Sequence, residues 1–246
     1  MGGPDPLSEY TAGHLPGAVL VDLDADLAAP ASAAGRHPLP EGFAATARRL
    51  GVEQDVPVVV YDDWQGRAAA RAWWLLEHHG HRDVRVLDGG WAAWLAAGGP
   101  VETGPGAPVP PGDFESVDPG TQGRNRTVTA EQVLGVDVLV DARAPERYRG
   151  DVEPVDPVAG HVPGAVNVPT TENLNPDGTF RTAGELAGRY AAVGAVAGAD
   201  VAVYCGSGVT AAHDLLALRR AGVPAALYPG SWSEWVADPT RPVEQG

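Results

Sequence analysis

Three stretches of this chain occur twice, in the same order. AGHLPGAVLV at 12–21 returns as AGHVPGAVNV at 159–168, VVVYDDWQGRAAARAWWLL at 58–76 as VAVYCGSGVTAAHDLLAL at 201–218, and VLDGGWAAW at 86–94 as LYPGSWSEW at 227–235. A spacing this wide does not build a solenoid of short stacked units; it requires a domain present in two copies. Between the copies, residues 98–120 are dense in Pro and Gly and lack apolar periodicity, as a surface linker would. The organisation expected is a first domain over 1–104, a linker over 105–122 and a second domain over 123–246.

Within each copy short Val-rich runs (56–61, 84–87, 136–140, 200–204) alternate with Ala- and Leu-rich helical stretches (42–50, 67–79, 183–193, 210–221), and Gly80 and Gly222 stand where a helix would stop. Strands that are apolar throughout and separated by helices belong in a parallel sheet covered on both faces. Each copy is therefore expected to be a three-layer α/β domain. VDVLVDAR at 136–143 precedes the His motif of the second copy, whereas only MGGPDPLSEYTAG precedes His14. The first domain is thus expected to lack its first strand, and the start of the chain to lie downstream of the true one.

The chain is 44% hydrophobic, enough for real cores, and no apolar run approaches the roughly 18 residues of a membrane span. Met1 is not followed by a basic and then an apolar leader, so a cytoplasmic location is expected. A net charge of −15 disfavours nucleic acid and anionic membranes as partners.

One cysteine excludes an internal disulfide and leaves Cys205 as a small core residue or a reactive thiol. It is the first residue after the strand VAVY, at the carboxyl end where ligand sites of such sheets gather. Gly206, Ser207, Gly208 and Val209 make a tight turn, and the next helix opens at Thr210 or Ala211. Successive backbone N–H groups and a helix N-terminus aimed at one point favour a thiolate and cradle an anion. The first copy has Asp62 in the place of the cysteine, in a loop one residue longer, and an Asp cannot attack sulfur. A Cys-dependent phosphatase would need an Arg six residues on, where Ala211 stands.

The doubled A-G-H-[LV]-P-G-A-V motif, the C-G-S-G-V-T loop and the D-G-G-W and P-G-S-W endings resemble the tandem-domain rhodanese family of thiosulfate and 3-mercaptopyruvate sulfurtransferases. The resemblance implies two rhodanese-like domains, the second catalytic. It also implies that a Cys205 persulfide carries sulfane sulfur from a small-molecule donor to a thiol or cyanide, with a protein acceptor within its range and no metal or cofactor. Backbone donors suit such an anion. The loop resembles the mercaptopyruvate type, because Gly206 and Ser207 replace the basic residues of the thiosulfate type. By the same resemblance Ser207, His14 and Asp5 match a proton relay, although His14 can equally cap its loop, as His161 would in the second copy. Gly206, Gly208, Val209 and Thr210 match the substrate cradle, and Arg147 one of two carboxylate-binding arginines. Asp156 stands where the second arginine is expected, so that partner is missing or comes from elsewhere. Arg143 and Arg149 are expected to be structural or solvated, and Trp91, Trp94, Trp232 and Trp235 to pack. Alternatives are a thiosulfate-preferring enzyme and a non-catalytic sulfur carrier or scaffold.

Overall fold

The computed structural model describes residues 5–118 and 125–246. The first half runs α1 (Pro6–Ala12), α2 (Leu23–Asp26), α3 (Phe43–Arg49), β1 (Val58–Val60), α4 (Arg67–His78), β2 (Val84–Val86) and α5 (Gly90–Ala96). The second runs β3 (Val138–Asp141), α6 (Pro145–Arg149), β4 (Val166–Asn167), α7 (Ala183–Ala191), β5 (Val201–Tyr204), α8 (Ala211–Arg220), β6 (Ala226–Leu227) and α9 (Ser231–Trp235).

In the second half all strands are parallel, in the order β4-β3-β5-β6, with Val140 opposite Val203 and Asp141 opposite Tyr204. The period-2 alternation of a strand divides the side chains between two cores. Val140, Val201 and Val203 join Leu186, Tyr190, Leu215 and Leu218 of α7 and α8 on one face. Leu139, Ala202 and Tyr204 join Trp232 and Trp235 of α9 on the other. Every residue of β5 is fully buried, and each such aliphatic side chain contributes roughly 1.5–3 kcal/mol. α7 is pinned at its start by a capping box between Thr182 and Glu185.

The first half repeats this plan with fewer strands. β1, the counterpart of β5, pairs with β2 and, among the described residues, has no strand on its other side. Val59 on this open side is 55% exposed, whereas its counterpart Ala202, paired beside Leu139 of β3, is 0% exposed.

The Pro- and Gly-rich connection behaves differently from a free linker. Gly112 N–H donates to Arg48 O, Phe114 N–H to Val52 O and Val117 N–H to His79 O, and Phe114 is wholly buried against the first half. Residues 119–122 of the expected linker, and residues 123 and 124 that begin the expected second domain, lie outside the described residues, as do 1–4. α4 packs on α8, so one hydrophobic core runs from Leu27, Phe43 and Trp74 through to Leu215 and Leu218. Among the described residues no helix is long and apolar enough to cross a membrane.

Candidate active site

β5 delivers Cys205 to the carboxyl end of the sheet, 3% exposed. Its N–H donates to Ser231 Oγ at 3.1 Å, and its Sγ accepts from Gly208 N–H at 3.2 Å. Gly208 is in the left-handed region (φ +81°), and a Cβ there would lie 2.3 Å from Pro229 O, so no other residue turns the chain this tightly. Beyond the turn α8 starts at Ala211 and adds the positive end of a ten-residue helix. Among the described residues the N–H groups of Gly206, Ser207, Val209 and Thr210 have no intramolecular partner. They are free to bind an anion.

The matching loop of the first half shows what such amides hold. Asp62 and Cys205 are structural equivalents, since Trp91 N–H donates to Asp62 O at 3.0 Å and Trp232 N–H to Cys205 O at 3.0 Å. The Asp62 carboxylate accepts from the N–H groups of Trp64, Gly66 and Ala69, each at 2.8 Å. Here the cradle is filled by a built-in anion.

The relay expected of Ser207, His14 and Asp5 is not assembled. Asp5 is exposed and caps α1 by accepting from Ser8 N–H. His14 spends Nδ1 on Tyr10 O at 2.8 Å and stacks on the Tyr10 ring, while its backbone pairs with Glu102. His161 does the same with Tyr148 and Glu244, so both histidines brace their loops. The partner of Ser207 is His37: Nδ1 lies 2.7 Å from Ser207 Oγ, and Nε2 lies 3.0 Å from Asp24 Oδ1. A carboxylate oxygen accepts, so Nε2 carries the proton of the neutral ring and Nδ1 accepts from the Ser207 hydroxyl. Burial holds the His37 pKa below its ordinary value, against the pull of Asp24.

Arg36, from the first half, also reaches the cysteine loop. A Cβ on Gly206 would meet Arg36 Nη2 at 2.8 Å and Arg147 Nη1 at 3.3 Å, so two guanidinium groups flank the cysteine loop. Arg147 is paired with Glu153 at 2.6 Å, and Asp156 lies between the two arginines. Arg143 is structural: it is buried, grips Asp141 and Gly160 O, and lies over the Trp232 ring. Arg149 makes a surface pair with Asp151. Trp232 and Trp235 are core, whereas Trp91 and Trp94 are half-buried.

Arg71 of α4 is fully buried and bonds only to carbonyls, those of Leu27 and His37 among them, with Gly208 O at 3.5 Å. Burial pushes its pKa down to about 10, and the charge of Cys205 opposes that fall. Among the described residues this guanidinium has no carboxylate partner, and its positive charge interacts with Cys205.

Sequence reasoning missed Asp24, Arg36, His37, Arg71 and Ser231. Two signals were present: an Arg in the otherwise apolar run AAARAWWLL, and the Arg36-His37 pair bracketed by Gly35 and Pro38.

The model of the rhodanese-like domain matches residues 5–97 and 127–238. The chain belongs to the rhodanese family. It is 52% identical over 99% of its length to a Mycobacterium tuberculosis protein provisionally named thiosulfate sulfurtransferase SseB, 87% of which is covered. It is 48% identical over 96% of its length to a Pseudomonas aeruginosa protein provisionally named 3-mercaptopyruvate sulfurtransferase, covering 86% of that relative. Among solved structures, the Escherichia coli 3-mercaptopyruvate sulfotransferase SseA superposes with a TM-score of 0.78 at 38% identity, covering 92% of this chain and 85% of that one. As a rhodanese-family chain it carries its cysteine in the second copy and borrows charged residues from the first.

Proposed function

We propose that this rhodanese-family chain is a sulfurtransferase that takes sulfane sulfur from 3-mercaptopyruvate onto Cys205 and passes it to a thiol or cyanide. The observation that carries this reading is the meeting, at one loop, of open amides, two guanidinium groups and a Ser207–His37–Asp24 relay. The names of the relatives support the reaction class.

The Cys205 thiolate attacks the donor sulfur, a sulfur–sulfur bond forms, and the carbon–sulfur bond breaks with its electron pair left on carbon as an enolate. The donor's thiol proton is the one that the pyruvate methyl group gains. A neutral imidazole can take that proton through Ser207 and return it to the enolate carbon, so the relay acts first as base and then as acid. Arg36 and Arg147 hold the donor carboxylate. The free amides of Gly206, Ser207, Val209 and Thr210 hold the persulfide anion once the donor has left.

Incubation with mercaptopyruvate should add one sulfur atom to Cys205 by intact mass, release one pyruvate per site, and lose the sulfur again as thiocyanate when cyanide is added. Cys205→Ser should gain nothing. A wild-type chain that gains no sulfur from mercaptopyruvate or thiosulfate would overturn the reading and favour a scaffold role. Faster loading from thiosulfate, in line with the name of the Mycobacterium relative, would replace the donor and keep the reaction.

A further inference from the structure

We propose that Asp156 selects donors by charge, tuning the site to a singly charged donor and against a doubly charged one. The proposal rests on the reading that Arg36 and Arg147 receive the donor anion. Both guanidinium groups touch the space over Gly206, and their side chains are 25% and 20% exposed, so they are reachable from solvent. The Asp156 side chain is only 4% exposed and lies behind them, with Oδ1 3.3 Å from Arg36 Nε and Oδ2 3.3 Å from Arg36 Nη2 and 3.5 Å from Arg147 Nη2.

These contacts are long. Glu153, by contrast, holds Arg147 at 2.6 Å and is the residue that orients it. Asp156 is thus the side chain that faces Arg36, through two long contacts, and it subtracts a charge from the clamp. Arg36 and Arg147 face Asp156 and Glu153, with Glu153 shared with Arg143 at 3.4 Å, and burial disfavours a further positive charge on nearby His37. A buried carboxylate that shares two arginines with an incoming anion repels that anion in proportion to the charge it brings. At an effective dielectric of roughly 20–40 and a separation of several ångströms, one unit charge changes binding by about tenfold per unit of ligand charge. A monoanion such as mercaptopyruvate pays this repulsion once and a dianion such as thiosulfate twice.

The test measures binding separately from turnover. Calorimetry with pyruvate as the monoanion and sulfate as the dianion would compare the wild type with Asp156→Asn, Asp156→Ser and Asp156→Glu. The neutral variants should bind pyruvate about tenfold and sulfate about a hundredfold more tightly, so that the sulfate-to-pyruvate ratio moves about tenfold. Asp156→Glu keeps the charge and should keep the wild-type ratio. For the donors, the thiosulfate-to-mercaptopyruvate ratio of kcat/KM should rise by the same factor, through KM with kcat little changed. Equal gains for both probes, the same shift in Asp156→Glu, or no binding of either probe to any of these proteins would overturn the inference. If the probe ratio shifts while neither donor loads wild-type Cys205, the sulfurtransferase reading falls and charge selection stands. If loading proceeds and the ratio stays fixed, the reverse holds.

Discussion

The loop at 62–66 and the loop at 205–210 are two outcomes of one design. In the first, Asp62 turns its own carboxylate into the amide cradle and occupies three N–H groups; in the second, Cys205 engages Gly208 N–H alone and leaves the others open. An inward-facing ring of amides stabilises whichever anion reaches it first. The acid makes the first loop self-sufficient and chemically silent. The cysteine leaves the other amides of the second loop without a partner, and in the proposed reaction they receive the transferred sulfur.

The largest test of this comparison converts one loop into the other. Cys205→Asp should abolish sulfur loading altogether, yet melt at or above the temperature of Cys205→Ala, because the carboxylate takes up amides that alanine leaves unsatisfied. A Cys205→Asp protein that melts below the alanine variant would break the claim that the two cradles are alike. Next in size, Ser207→Ala and His37→Gln should each lower kcat/KM for mercaptopyruvate about a hundredfold. Thiosulfate loading should be nearly unaffected, since sulfite departs without any proton reaching carbon. Equal losses with both donors would reduce the relay to a structural brace. The smallest effect is expected in the silent loop: Asp62→Asn keeps the shape but loses the charge, and should cost about 2 kcal/mol in thermal unfolding while persulfide formation at Cys205 proceeds at the wild-type rate. A loss of activity there would mean that the first loop participates in catalysis.

The parts legible in the sequence were those encoded locally. The Val-rich runs became β1, β2, β3 and β5 within a residue or two at each end, and the Ala- and Leu-rich stretches became α3, α4, α7 and α8. The equivalence of Asp62 with Cys205, read from aligned repeats, appears as matching bonds to Trp91 and Trp232. The relay was not legible, because Ser207 and His37 are 170 positions apart and meet only through tertiary packing. His37 also sits in ADLAAPASAAGRHPLP, which has no periodicity to anchor a placement. His14 drew the assignment because its motif is repeated, and the repetition is what betrays it: a residue that does the same job at 14 and 161 serves the fold that both copies share. Phe114 was lost in the Pro- and Gly-rich connection for a similar reason, as one aromatic without periodic neighbours gives no sign that it is buried.

Asp24, Arg36, His37 and Arg71 converge on a loop belonging to the other copy. The site around Cys205 is therefore built from both halves. A hybrid joining this second half to a foreign first half would keep its nucleophile but lose the countercharge, the proton path and one arm of the clamp together. In the proposed reaction, the centre built around Cys205 in one copy is therefore completed by charges and a proton path that the other copy supplies.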